Sequence, residues 1–305
     1  MLAARLKLFR GELPISRSRG GAPELLPWAC AVVLALPCAA AERVPVLEIQ
    51  PGTAKPGDAV LITVHTGHSP LSASMGDRAL IFFPSSAGFL TVTAIPVEQA
   101  PGELEVKIRL PDLRGQPPEL AGALEVIEPG FPSRELEVAN RYIHPPPQVR
   151  KWIAQDRIAL QRAYEQPPRP PLFRRNFAWP RWALVTSHFG DLRLFNGAKQ
   201  SQHYGTDLSG RVGDPVTAAN DGVVVLARSC YASGNTVVVH HGAQLFTAYF
   251  HLSKMQVKPG ATVKRGEQIG RVGKSGRVTG PHLHWAAKVK DVYVNAESLL
   301  RLEFE

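Results

Sequence analysis

The sequence predicts an all-β protein: an N-terminal β-sandwich domain, a helical proline-rich connector, and a C-terminal β domain. Three observations carry this. Short runs rich in Val, Ile, Leu and Phe recur along most of the chain, punctuated by 26 glycines and 27 prolines in 305 residues. Helical spacing of apolar residues is confined to one stretch near the middle. Hydrophobic residues make up 44 % of the chain, enough to build two modest cores.

Residues 1–41 read as an export signal. Arg5, Lys7, Arg10, Arg17 and Arg19 precede an apolar run, LLPWACAVVLALPCAAA, that ends in small residues (25–41). Cleavage after Ala41 is expected. The run is interrupted by Pro27 and Pro37 and is short for a membrane span. Cys30 and Cys38 would leave with it. Cys230 would then be the sole cysteine, which excludes an internal disulfide and a Cys-rich zinc finger. Its expected role is a small buried hydrophobe.

Residues 44–143 read as the sandwich. VPVLEIQPG, DAVLITVHT, RALIFFP, FLTVTAIPV, GELEVKIRLP and GALEVIEPG are short strand-like runs. Leu104, Val106, Ile108 and Leu110 alternate with polar residues, as a half-buried strand requires. Residues 144–181 form the connector. Pro145–Pro147 is extended, then Val149, Ile153, Ile158, Leu160 and Tyr164 recur at helical spacing until Pro167 and Pro168 intervene.

The net charge of +9 is unevenly placed. Between 150 and 181 lie eight basic and two acidic side chains, so the connector is the basic part of the chain. With an export signal upstream, an anionic envelope surface is a better partner than nucleic acid. A solvated helix with incidental charge explains the composition equally well.

Residues 182–305 form the second β domain. VVVLARS and NTVVVHH flank the turn CYASG, LFTAYFHL follows, and VKPGATVKRGEQIGRVGKSG places apolar residues between glycine turns. The chemistry concentrates here, in HYGTD (203–207), YFHLS (249–253) and GPHLHWAA (280–287). His203, Asp207, His251, His282 and His284 together suggest a divalent metal with an open coordination position. His282 and His284, two apart on a strand, share one face at about 6.6 Å. His203 and Asp207 would lie about 13 Å apart on a straight strand, so the chain must curl between them, with Gly205 permitting the curl. Either pair alone is a weak signal, common in cores; the set of five is not. Three would ligate and two would move protons or donate to developing charge. His188, His240 and His241 are assigned no chemistry, and His241 before Gly242 reads as a turn residue.

The five-residue set resembles the LytM or lysostaphin-type zinc metallopeptidases, peptidase family M23. HYGTD corresponds to that family's HxxxD element, GPHLHW to its HxH element, and TAYFHLS to the segment bearing a further histidine. SHFGDLRLFNG, GDPVTAANDGVVV and GNTVVVHHG also read like the family, and the likeness is dense over 182–302. Residues 44–143 resemble, more loosely, a β domain that precedes the peptidase in some Gram-negative members. The resemblance implies a compact, mostly antiparallel catalytic domain with a groove. It implies one Zn2+ per chain on His203, Asp207 and His284, with His251 and His282 assisting catalysis. The implied substrate is the peptide cross-link of peptidoglycan, in the periplasm or cell envelope, with a divisome or amidase partner conceivable. The competing reading is a silent or latent wall-binding or amidase-activating module.

Overall fold

In the computed structural model, residues 44–112, 118–137, 141, 144–197 and 199–304 are described; the export signal expected over 1–41 lies outside them. The upstream part builds two sheets. One runs in the order Val46–Gln50, Ala59–His65, Gly88–Ala94, Phe83–Ser85. The other runs Thr53–Ala54, Glu119–Val126, Gly102–Arg109, Ser72–Met75, Arg78–Ala79. Val60, Ile62 and Val64 of the first face Val106, Ile108 and Leu124 of the second in one core, while Glu103, Glu105 and Lys107 stand outward in solvent.

The strand Ala59–His65 is buried on both faces, which is why it reads as a near-continuous apolar run. Its other face, with Ala59 and Leu61, joins Val92 and Ala94 in a second core shared with Leu208, Leu283 and Trp285 of the downstream sheet. The two halves are therefore layers over common apolar material, and Glu42–Glu305 forms one compact unit.

The downstream sheet runs Val185–Ser187, Thr206–Ser209, His282–Val289, Leu245–Leu252, Gly234–His240, Gly222–Cys230, Thr262–Val263, with Val292–Val294 also on His282–Val289. Every pairing in it is antiparallel. The fold class read from the sequence holds.

The expected helix forms over Pro147–Tyr164, with proline in its first turn, where no N–H is needed. It covers the sheet face opposite the shared core: Ala163 and Tyr164 pack on Leu226, Val238 and Phe246. Asp156 anchors it, taking Arg228 Nε at 3.0 Å and the Tyr231 N–H at 2.7 Å. Arg150, Lys151, Arg157 and Arg162 remain exposed on this helix. The proline-rich stretch after it does not hang free. It is hydrogen-bonded to the downstream half at Leu172–His241, Ala178–Ala219 and Thr217–Pro180. Phe173 and Phe177 are buried edge-on to each other and beside Phe304.

One further pairing crosses between the halves. Ser133–Leu136, within the upstream 44–143 stretch, lies parallel to Leu192–Phe195, which pairs antiparallel with Lys199–Gln202.

Candidate metal centre

Adjacent strands bring the cluster together by register. Asp207 on Thr206–Ser209 sits opposite His284 on His282–Val289, and His284 is flanked on its other side by Phe250. His203 enters from the turn between Lys199–Gln202 and Thr206–Ser209. His203 Nε2 lies 3.1 Å from Asp207 Oδ1 and 2.9 Å from His284 Nδ1, and His284 Nδ1 lies 2.7 Å from that same Oδ1. The reversal that brings His203 back over Asp207 needs glycine at 205 for space, not for its backbone angle. A Cβ there would stand 2.6 Å from His284 Cε1 and 2.8 Å from the Trp285 carbonyl.

His251 arrives by a different device. Between Asn235 and Val237 the strand Gly234–His240 advances two residues while its neighbour advances three, Leu252 to Tyr249. The extra residue is a β-bulge, a device that re-aims side chains. His251 takes a left-handed backbone, φ +61°, held by its N–H on the Ser233 carbonyl at 2.9 Å. Its ring lies 5.0 Å from that of His282, centroid to centroid.

Hydrogen bonds fix the ring orientations. His203 Nδ1–H donates to the His188 carbonyl at 2.7 Å, His251 Nδ1–H to Ser275 O at 2.9 Å, and His282 Nδ1–H to Gly280 O at 2.9 Å. Each leaves an Nε2 lone pair turned to the site. His282 Nε2 is 3.7 Å from Asp207 Oδ1. Burial pushes His251 down to about 3, with the neighbouring imidazoles adding to it. Burial likewise lowers His284 to about 4, against the opposing pull of Asp207. For Asp207, burial acts upward, yet the adjoining His203 and His284 imidazoles hold it well below the carboxylate range.

These atoms fit a metal. With its Nδ1–H donated to the His188 carbonyl, His203 turns an Nε2 lone pair toward the ionised Asp207, and one proton on His284 Nδ1 satisfies only part of that junction. A divalent cation satisfies all three, and two imidazoles with one carboxylate suit zinc and several of its neighbours. His203, Asp207 and His284 form such a group, their ligand atoms within 4.8 Å of one another. All five residues line one cavity of about 550 Å³. A larger cavity of about 840 Å³ lies between the helix and the strand ends near Cys230 and contains none of them.

Four supporting residues are not identified by sequence reasoning. Arg193 Nη2 donates to Asp207 Oδ2 and to Ser187 Oγ, both at 2.7 Å. Ser187 Oγ donates to Asp191 Oδ2 at 2.7 Å, and Arg134 Nε pairs with that oxygen at 2.9 Å. Three of these lie in SHFGDLRLFNG, a stretch whose likeness to the family carries no roles by itself. Arg134 is recognisable only once the strand pairing is known. His241, read as a turn residue, is instead wholly buried between the Asp221 carbonyl and Thr247 Oγ1, each 2.7 Å away. Cys230 is buried, as expected.

Two imidazoles and a carboxylate meet at one point beside an antiparallel β sheet, with two more imidazoles across the same cavity, a donor set that suits one divalent ion. More particularly, residues 201–296 match the model of Peptidase family M23. The peptidoglycan DD-endopeptidase ShyA of Vibrio cholerae is 42 % identical over 139 residues, which is 45 % of this chain and 30 % of that protein. The DD-carboxypeptidase/endopeptidase Mpg of Neisseria meningitidis is 40 % identical over 97 residues, 32 % of this chain and 22 % of that one. These matches thus span under a third of either relative's length. A crystal structure of a peptidase M23 from Pseudomonas aeruginosa superposes with a TM-score of 0.60 at 25 % identity, over 80 % of this chain and 94 % of that one.

Proposed function

We propose that this protein is an exported, zinc-dependent endopeptidase that hydrolyses peptide cross-links of peptidoglycan. The observation that carries the reading is the junction of His203 Nε2, Asp207 Oδ1 and His284 Nδ1, with His251 and His282 across the same cavity. The relative named as a peptidoglycan DD-endopeptidase supports the substrate class, and the apolar run over 25–41 supports export. Among the described residues, no helix is long and apolar enough to cross a membrane.

His203, Asp207 and His284 would hold the ion. When bound, zinc supplies Lewis acidity and brings a coordinated water to a pKa of about 7. The remaining chemistry falls to side chains. His251 and His282, each tethered through Nδ1 to a carbonyl, present Nε2 as a proton acceptor for the attacking water. The proton then passes from an Nε2 to the leaving amine nitrogen, so the imidazole ends neutral. Burial keeps His251 unprotonated at neutral pH, as a base must be.

The test is incubation of purified protein with sacculi, with and without a chelator, and identification of released fragments by mass. Chelator-sensitive release of peptide-cleaved muropeptides is the expected outcome. Protein that holds zinc yet leaves every muropeptide uncut would sink the reading.

A further inference from the structure

We infer that Arg134, on the upstream strand Ser133–Leu136, is a positioning residue of the metal centre, acting through Asp191, Ser187 and Arg193. The inference rests on the proposed reading, in which Asp207 is a ligand. Asp207 uses Oδ1 toward the imidazoles and Oδ2 toward Arg193 Nη2. That same Nη2 holds Ser187 Oγ, whose hydroxyl donates to Asp191 Oδ2. Asp191 is wholly buried, with 0 % of its surface exposed, and its Oδ1 lacks a hydrogen-bond partner. A buried carboxylate needs a counter-charge, and Arg134 Nε supplies it at 2.9 Å.

The register shows why the arrangement depends on both arginines. Arg134 lies opposite Arg193 in the parallel pair, so two like charges stand side by side. They are compatible because each faces its own carboxylate, Arg134 facing Asp191 and Arg193 facing Asp207. Without Arg134, Asp191 is uncompensated, and the adjacent cation is Arg193, one hydroxyl away. Arg193 is then drawn toward Asp191, and the second oxygen of the metal ligand loses its donor. The upstream strand is fixed for this task. Arg134 Nη1 reaches the Thr186 carbonyl at 3.4 Å, and the Phe131 ring covers Gly190 so closely that a Cβ there would meet Cε1 at 2.1 Å. Arg134 also lines the cavity that holds the five site residues.

The experiment measures zinc affinity of the full chain by competition with a chromophoric chelator, alongside thermal unfolding with and without zinc. Arg134→Ala is expected to weaken zinc by roughly 10- to 100-fold, the range for loss of groups that orient metal ligands. Arg134→Ala combined with Asp191→Asn removes the orphaned charge and should return affinity to within about threefold of wild type, on the same scale. Arg134→Gln keeps the stem and strand pairing and should weaken zinc comparably, so misfolding of the alanine variant does not end the test. Unchanged affinity in a folded Arg134→Gln protein, or weakening that Asp191→Asn leaves unrelieved, overturns the inference while the peptidase reading stands. Wild-type protein that takes up no zinc overturns both.

Discussion

At the scale of single residues, the proposed ligands and the proposed proton carriers separate experimentally. His284→Ala should lose both zinc stoichiometry and muralytic activity, read by elemental analysis and fragment release. His282→Ala should keep zinc but lose roughly 10²- to 10⁴-fold in kcat, the usual worth of positioned acid–base catalysis. Gly205→Ala drives a methyl into the His284 ring, and a cost of about 1–3 kcal/mol with weakened zinc is expected from such overpacking. The buried histidines set the pH response. Burial lowers His241 to about 4 from 6.5, so the unfolded chain takes up this proton first as pH falls. Its contribution is whole above about 6.5 and is lost toward 4, on the order of 3 kcal/mol. Denaturant unfolding of chelator-treated protein at pH 7 and 4.5 checks this; equal midpoints would contradict it. The five residues that line this cavity are legible in the sequence because a cluster of imidazoles with a carboxylate is an uncommon pattern with a chemical reading. Arg134 and Asp191 are not, since an ion pair between residues 57 positions apart leaves no local pattern.

At the scale of elements, strands are legible as short apolar runs, and as alternating patterns where burial is one-sided. Glu103 to Arg109 alternates because one face is wet; Ala59 to Val64 does not, because both are dry. The bulge that aims His251 was invisible, since a single inserted residue changes the pairing and not the composition. Its backbone cost is testable. At φ +61° a Cβ is strained by about 1–2 kcal/mol, whereas glycine is not. His251→Gly should therefore be more stable than His251→Ala by about 1 kcal/mol, although both lose the imidazole. Thermal or urea unfolding of the pair measures it, and the reverse order would mean that the bulge relaxes when the ring is gone.

At the scale of the whole molecule, the sequence reads as two domains and a bridge, while the apolar layers are continuous. Leu61 of the upstream sheet is buried in the same core as Leu208 and Trp285 beneath the site. Calorimetry is expected to show one transition, which Leu61→Ala lowers as a unit by about 2–5 kcal/mol. Two separated transitions, with only the earlier one moved, would show that the layers melt independently.

The bridge bears on how this protein is dissected. A fragment starting at residue 182 looks like a natural way to ask whether the upstream half restrains the enzyme. Such a cut discards Phe173 and Phe177, baring Phe304 and the wall they cover, and removes Arg134 as well. Loss of activity in that fragment would report a broken scaffold, and only a gain would speak to inhibition.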